Sequence, residues 1–183
     1  MKIQVKAIFG VVILIVSCTS KNDHSGDNSK DTVQIVQPLT PEKRVQEKVV
    51  IRDRDLNAVY LQYLQLTEAL IEGRFEDAKI NSNAMEAGAR QIKEARTLAS
   101  TAAKITTATD IEIQRRHFST LSNEMFRLIN SSGVESGTVY VDFCPMALKD
   151  KGAYWLSNEK EIRNPYFGEV MLNCGEVKKT IGQ

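Results

Sequence analysis

Cysteine is scarce in this chain: it occurs three times in 183 residues, at 18, 144 and 174. There is no Cys-x-x-Cys, so the sequence lacks the usual dithiol of a thiol oxidoreductase. Histidine is scarcer still, with only His24 and His117. No Gly-rich phosphate loop, no Ser/His/Asp order and no carboxylate pair placed for acid–base work can be found. A Cys144–His117 nucleophile pair would lack an orienting group and an oxyanion hole, so the chain is expected not to be an enzyme. A basic excess is missing as well: 24 Lys and Arg stand against 23 Asp and Glu. Nothing in that balance pulls on nucleic acid or anionic lipid, and neither is expected as a partner. Finally, no apolar run is long enough to span a bilayer. The run Ala7–Val16 has ten residues, where a spanning helix needs about twenty.

What the N-terminus does contain is a basic start, with Lys2 and Lys6, then the short apolar run, then Ile15-Val16-Ser17-Cys18. This order makes an export signal rather than a membrane span. Its end resembles the lipobox of bacterial lipoproteins. That resemblance implies a signal peptide over 1–17, cleavage before Cys18 and a lipid on Cys18, whose acyl chains anchor at about 0.8 kcal/mol per buried methylene. Thr19 follows the cysteine, with no aspartate to suggest retention at the inner membrane. The expected place is the cell envelope, lipid-anchored at the outer membrane on its periplasmic or outer face. Losing Lys2 and Lys6 leaves 22 basic residues against 23 acidic ones.

Residues 18–54 are read as a flexible tether. From Thr19 to about Thr40 the segment is polar and carries Pro38 and Pro41, so it buries too little apolar surface to offset the entropy of ordering. His24 lies there as a solvated side chain. A single domain is expected over 55–178. Its first helix starts near Asp55. Leu56, Val59, Tyr60, Tyr63, Leu64, Thr67, Leu70 and Ile71 form its apolar stripe, and Gly73 is its stop. A second helix starts near Phe75, with Ala78, Met85, Ile92 and Ala99 in one seven-residue row and Phe75, Ser82 and Ala89 in another. A third opens on a capping box, Thr109 and Glu112. It aligns Ile111, Phe118 and Met125 beside Gln114, Leu121 and Leu128, and ends at Ser131-Ser132-Gly133. The expected fold is mainly α within an α+β class: an antiparallel bundle of three long helices and a small C-terminal unit with a short strand pair and a short helix.

In that unit, Thr138–Phe143 alternates like a strand and Ala153–Leu156 reads as its partner across a Lys-Asp-Lys-Gly turn. Asn164-Pro165 reads as a helix start for a short helix over 166–173, stopped by Gly175. Two sulfur motifs stand out. Cys144 and Met146 form Cys-x-Met at the strand end, on one face if the strand persists. Met171 and Cys174 form Met-x-x-Cys at the helix end, also on one face. Together they would gather two thiolates and two thioethers, a soft set that selects Cu(I) first and Zn(II) second, with His117 as an imidazole. The plainer alternative is a Cys144–Cys174 disulfide closing a loop of about thirty residues, worth roughly 3–4 kcal/mol. In that case Met146 and Met171 serve as core filler. Tyr154, Trp155, Tyr166 and Phe167 are expected to pack this unit.

Cys-Pro-Met-Ala (144–147), Gly-Ala-Tyr-Trp-Leu-Ser (152–157), Ile-Arg-Asn-Pro-Tyr-Phe-Gly (162–168) and Met-Leu-x-Cys-Gly (171–175) resemble a bacterial envelope domain of unknown function. The third-helix stretch from Asp110 to Ser122 does so too. That domain occurs alone in lipoproteins and at the C-terminus of CusB-type adaptor subunits of heavy-metal efflux pumps. The resemblance spans roughly Leu56 to Glu176. It implies handling of copper or another soft metal outside the cytoplasm, with Cys144, Met146, Met171 and Cys174 on the matching positions and envelope metal-efflux components as partners. The histidine-rich segment and the adaptor hairpin are absent from this sequence, which favours a stand-alone carrier, scavenger or sensor over a pump part. The competing expectation is a non-catalytic interaction module with a structural disulfide.

Overall fold

Helix α1 (Arg54–Ile71) forms because Asp53, in extended conformation, accepts the Leu56 N–H at 2.8 Å and caps its N-terminus. The computed structural model describes residues 48–182. The expected signal peptide, Cys18, His24 and the tether up to residue 47 lie outside the described residues. The described end of that stretch is part of the fold. Strand β1 (Val50–Ile51) pairs antiparallel with β2 (Val134–Ser136), and Val49 and Ile51 are buried. The Asp53 N–H donates to Ser132 Oγ at 3.1 Å, which ties the entry of α1 to the last long helix.

The expected stripe of α1 is buried except for the half-buried Leu64. The single second helix is corrected to two: α2 (Phe75–Ala89) and α3 (Arg96–Thr106). Between them the N–H groups of Gln91 and Ile92 reach back only three residues, to Gly88 and Ala89, and Arg127 donates to the Glu94 carbonyl at 2.9 Å. Ala95 is buried at the end of this turn. The seven-residue row thus continues from α2 into α3 through a bend held by α4 (Ile111–Ser132). The cap of α4 also differs from the expected capping box. Asp110 accepts the Ile113 N–H at 2.8 Å, Thr109 only touches Asp110, and Glu112 pairs with Arg115 at 2.6 Å. Phe118, Met125, Gln114, Leu121 and Leu128 are buried, and Ile111 is half-buried.

Each helix packs on the next along the chain, and α1 also meets α4. The C-terminal unit is a three-stranded antiparallel sheet rather than a strand pair. Its order is β4-β3-β5, with β3 (Thr138–Cys144) between β4 (Ala153–Ser157) and β5 (Glu176–Gly182). Strand β5 carries the domain past the expected end at 178. Helix-like turn α5 (Ala147–Asp150) joins β3 to β4, and Leu148, Lys149 and Asp150 in or beside it are left-handed. The expected helix over 166–173 is a 3-10 turn, Gly168–Met171, flanked by turns. Tyr63 joins the layers: its hydroxyl meets Ser122 Oγ of α4 at 2.9 Å and accepts the Leu156 N–H of β4 at 2.9 Å. Rings stack from Tyr60 through Tyr63 to Phe118, with centroid spacings of 6.0 and 5.4 Å, and Tyr166 lies tilted against Phe118 at 5.7 Å. Burying each such ring stabilises the fold by roughly 1.5–3 kcal/mol.

Candidate functional site

The two C-terminal cysteines meet. Cys144 is the last residue of β3, opposite Ala153 of β4. Cys174 follows the 3-10 turn, where its N–H donates to the Met171 carbonyl at 3.1 Å. Their sulfurs are 3.0 Å apart, in hydrogen-bond contact as free thiols. Cys144 is buried and Cys174 half-buried.

Asn164 is what holds Cys174 there. Its Nδ2 donates to the Cys174 carbonyl at 2.7 Å, its Oδ1 accepts the Tyr166 N–H at 2.8 Å, and its own N–H donates to Leu172 O at 2.7 Å. Sequence reasoning assigned Asn164 to a helix start. The Asn-Pro pair was the right signal, but the buried Asn side chain closes a loop instead of capping a helix. The next residue after Cys174 is equally constrained. Gly175 takes φ +142°, and a Cβ there would lie 2.8 Å from Trp155 Cη2 and 3.0 Å from Phe143 O. Only glycine lets the chain pass this close to the sheet and deliver Cys174 to Cys144.

The rest of the aromatic motif braces the same unit. Tyr166 donates to the Tyr154 carbonyl at 2.6 Å and sits edge-on to Trp155 at 6.1 Å. Arg115 of α4 donates from Nε to Pro165 O and from Nη2 to Leu70 O, both at 3.0 Å. Neither Arg115, which stands in the third-helix stretch of the resemblance, nor Asn164 is assigned a bracing role by the sequence alone.

The electrostatics follow from this packing. The Cys174 thiol is pushed up to about 11, first by its hydrogen bond with Cys144, then by desolvation and by charge on Cys144. Cys174 therefore keeps its proton near neutral pH, and a metal ion that binds its sulfur must displace that proton.

The remaining sulfur residues lie on the same two segments. Strand β3 stops at Cys144, so the period-two argument for Met146 does not apply. Met146 stands in the following turn and is 47% exposed. Met171 ends the 3-10 turn, half-buried. His117 is half-buried on α4, its imidazole held below the usual range by burial first and then by the charges of Lys104 and Arg116. Among the described residues no three His, Cys, Asp or Glu side chains gather in a group that could hold a metal ion. The structure thus brings Cys144 and Cys174 together and does not add His117 to them. Among the described residues, no helix is long and apolar enough to cross a membrane.

No curated protein and no solved structure matches the chain. Residues 59–137, from within α1 to the glycine before β3, and so without either cysteine of the pair, match an uncharacterised-domain family described as Protein of unknown function (DUF3347).

Proposed function

We propose that this chain is a lipid-anchored protein of the bacterial cell envelope that captures a soft metal ion, Cu(I) ahead of Zn(II), for metal handling or efflux. Cys144 and Cys174 supply the thiolates, and Met146 and Met171 the thioethers. His117 is left out of the ligand set because no third His, Cys, Asp or Glu gathers with the pair among the described residues. The observation that carries this reading is the 3.0 Å approach of two free sulfurs from segments thirty residues apart. Thiolates and thioethers favour Cu(I), and thioethers bind it without losing a proton. With metal–sulfur bonds of about 2.3 Å, as for zinc, two sulfurs at a tetrahedral angle stand about 3.8 Å apart, so loading parts the pair slightly.

The experiment is a titration of the fully reduced chain with Cu(I) against a competing chelator, on wild type and on a Cys144→Ser/Cys174→Ser variant. Uptake of one ion that the double variant loses supports capture. No uptake, or equal uptake by the variant, removes it.

The same distance favours a second reading, a non-catalytic interaction module with a structural disulfide. The bond length is about 2.05 Å, so a closure of about 1 Å joins the sulfurs. Thiol counting on protein isolated from the envelope separates the two. A bond that resists mild reductant favours the module, and two thiols protected by bound metal favour the carrier.

A further inference from the structure

Beside the cysteine pair the surface folds into a groove of about 770 Å³. One wall is the segment leaving Cys144, with Met146 and Leu148. The other is the segment approaching Cys174, with Phe167 and Val170, and α4 closes it with Arg115 and Arg116. Buried Tyr166 lies at its base. Two features of this groove stand out. Val170 is 85% exposed and Met146 is 47% exposed, though both are apolar. Leu148, Lys149 and Asp150 take φ values of 56°, 62° and 61°. A left-handed conformation costs a non-glycine residue roughly 1–2 kcal/mol. Such strain clusters where a segment contacts a ligand.

The groove is also unbalanced in charge. Its one lining acid, Glu112, is paired with Arg115. Arg116, Lys149 and Lys151 line it without an ion pair among the described residues. Asp150 and Glu169 are near in sequence but do not line it.

We propose that this groove docks an acidic, apolar segment of a partner protein. Apolar side chains of that segment pack on Met146, Phe167 and Val170, and its carboxylates meet Arg116, Lys149 and Lys151. A concave surface fits a chain segment better than the plane of a bilayer. Its lining of Met, Phe, Tyr and Arg is the set enriched at protein interfaces. The volume lies within the roughly 300–1,000 Å³ of ordinary ligand clefts. Docking needs no metal ion and shares only Met146 with the capture of Cu(I), so the two proposals fail separately.

The test is fluorescence anisotropy of the reduced full chain with a labelled peptide of Glu, Leu and Ser. A peptide with Lys in place of Glu and phosphatidylglycerol vesicles serve as the other arms. The Glu peptide is expected to bind, to weaken with salt, and to weaken about tenfold in Arg116→Glu/Lys151→Glu. Val170→Ser, at a site too exposed to affect folding, is expected to weaken it as well. The proposal is overturned if the Lys peptide binds equally, if both variants bind like wild type, or if the vesicles bind and the Glu peptide does not.

Discussion

Asp142 sits in the middle of β3, fully buried, with neither carboxylate oxygen hydrogen-bonded. Burial pushes its carboxyl up from the usual 3.8 to about 7. A raised acid leaves stability intact below the unfolded value, because both states are protonated there. From about pH 4 to pH 7 the unfolded chain releases the proton first, so stability falls as pH rises, and it levels off above 7. The shift sets an upper bound of about 4 kcal/mol on that loss. Asp142→Asn is expected to remove this slope and to stabilise the fold at pH 8 but not at pH 4, as read by urea unfolding across that range. An unchanged slope would mean that the carboxyl finds a partner. Asn164 presents the opposite case, a buried polar side chain with its donor and acceptor both used. Asn164→Ala strands the Cys174 carbonyl and the Tyr166 N–H, at a cost of about 3 kcal/mol. It should also speed the reaction of Cys174 with a thiol reagent well beyond what global unfolding allows. Equal labelling rates in wild type and variant would show that the loop holds without this clamp.

At the scale of elements, the contact between the 3-10 turn and α1 gives the sharpest expectation. Gly168 takes φ +58°, and a Cβ there would lie 2.7 Å from the Ile71 carbonyl oxygen and 3.0 Å from Arg115 Nη2. Gly168→Ala therefore combines left-handed strain with a clash against backbone, and should cost about 2 kcal/mol or more in chemical denaturation. A neutral result would show that the turn shifts freely, which the Arg115 bonds to Pro165 and Leu70 oppose. The helices that show in the sequence are those whose ends carry a local chemical signal. Helix α1 is bounded by Asp53 and Gly73, and α4 by Asp110 and Gly133. The break between α2 and α3 carries no such signal. Its seven-residue row continues from Ala78 to Ala99, no proline interrupts it, and the bend is fixed by Arg127 of a helix some thirty residues further on. Strand β5 is hidden for a related reason. Its side chains are largely exposed and charged, so it has no apolar alternation to read, and it exists through its hydrogen bonds to β3. The pairing of Cys144 with Cys174 follows from the motifs. The position of Met146 does not, because the strand expected to carry it ends two residues earlier.

At the scale of the whole molecule, the cysteine pair closes a loop containing β4, the Asn164 clamp and the 3-10 turn, that is, most of the C-terminal unit. Any bond between the two sulfurs restricts the unfolded chain over that loop. In the chain-entropy view a disulfide there adds roughly 3–4 kcal/mol. At about 3 °C per kcal/mol for a domain of this size, the oxidised chain should melt about 10 °C above the reduced one. A metal ion does the same by mass action, adding about 2.7 kcal/mol at a free concentration one hundred times its Kd. The two stabilisations differ in their response to pH. The disulfide increment is independent of it. The metal increment must shrink as pH falls, because each thiolate has to be freed of its proton, and the Cys174 thiol, pushed up to about 11, holds its proton firmly. Melting curves of the reduced, oxidised and Cu(I)-loaded chain at pH 6 and pH 8 therefore discriminate between carrier and module. A carrier shows a Cu(I) increment that is larger at pH 8 and absent from the Cys144→Ser/Cys174→Ser variant. A module shows only the oxidised increment, equal at both pH values, and no response to Cu(I).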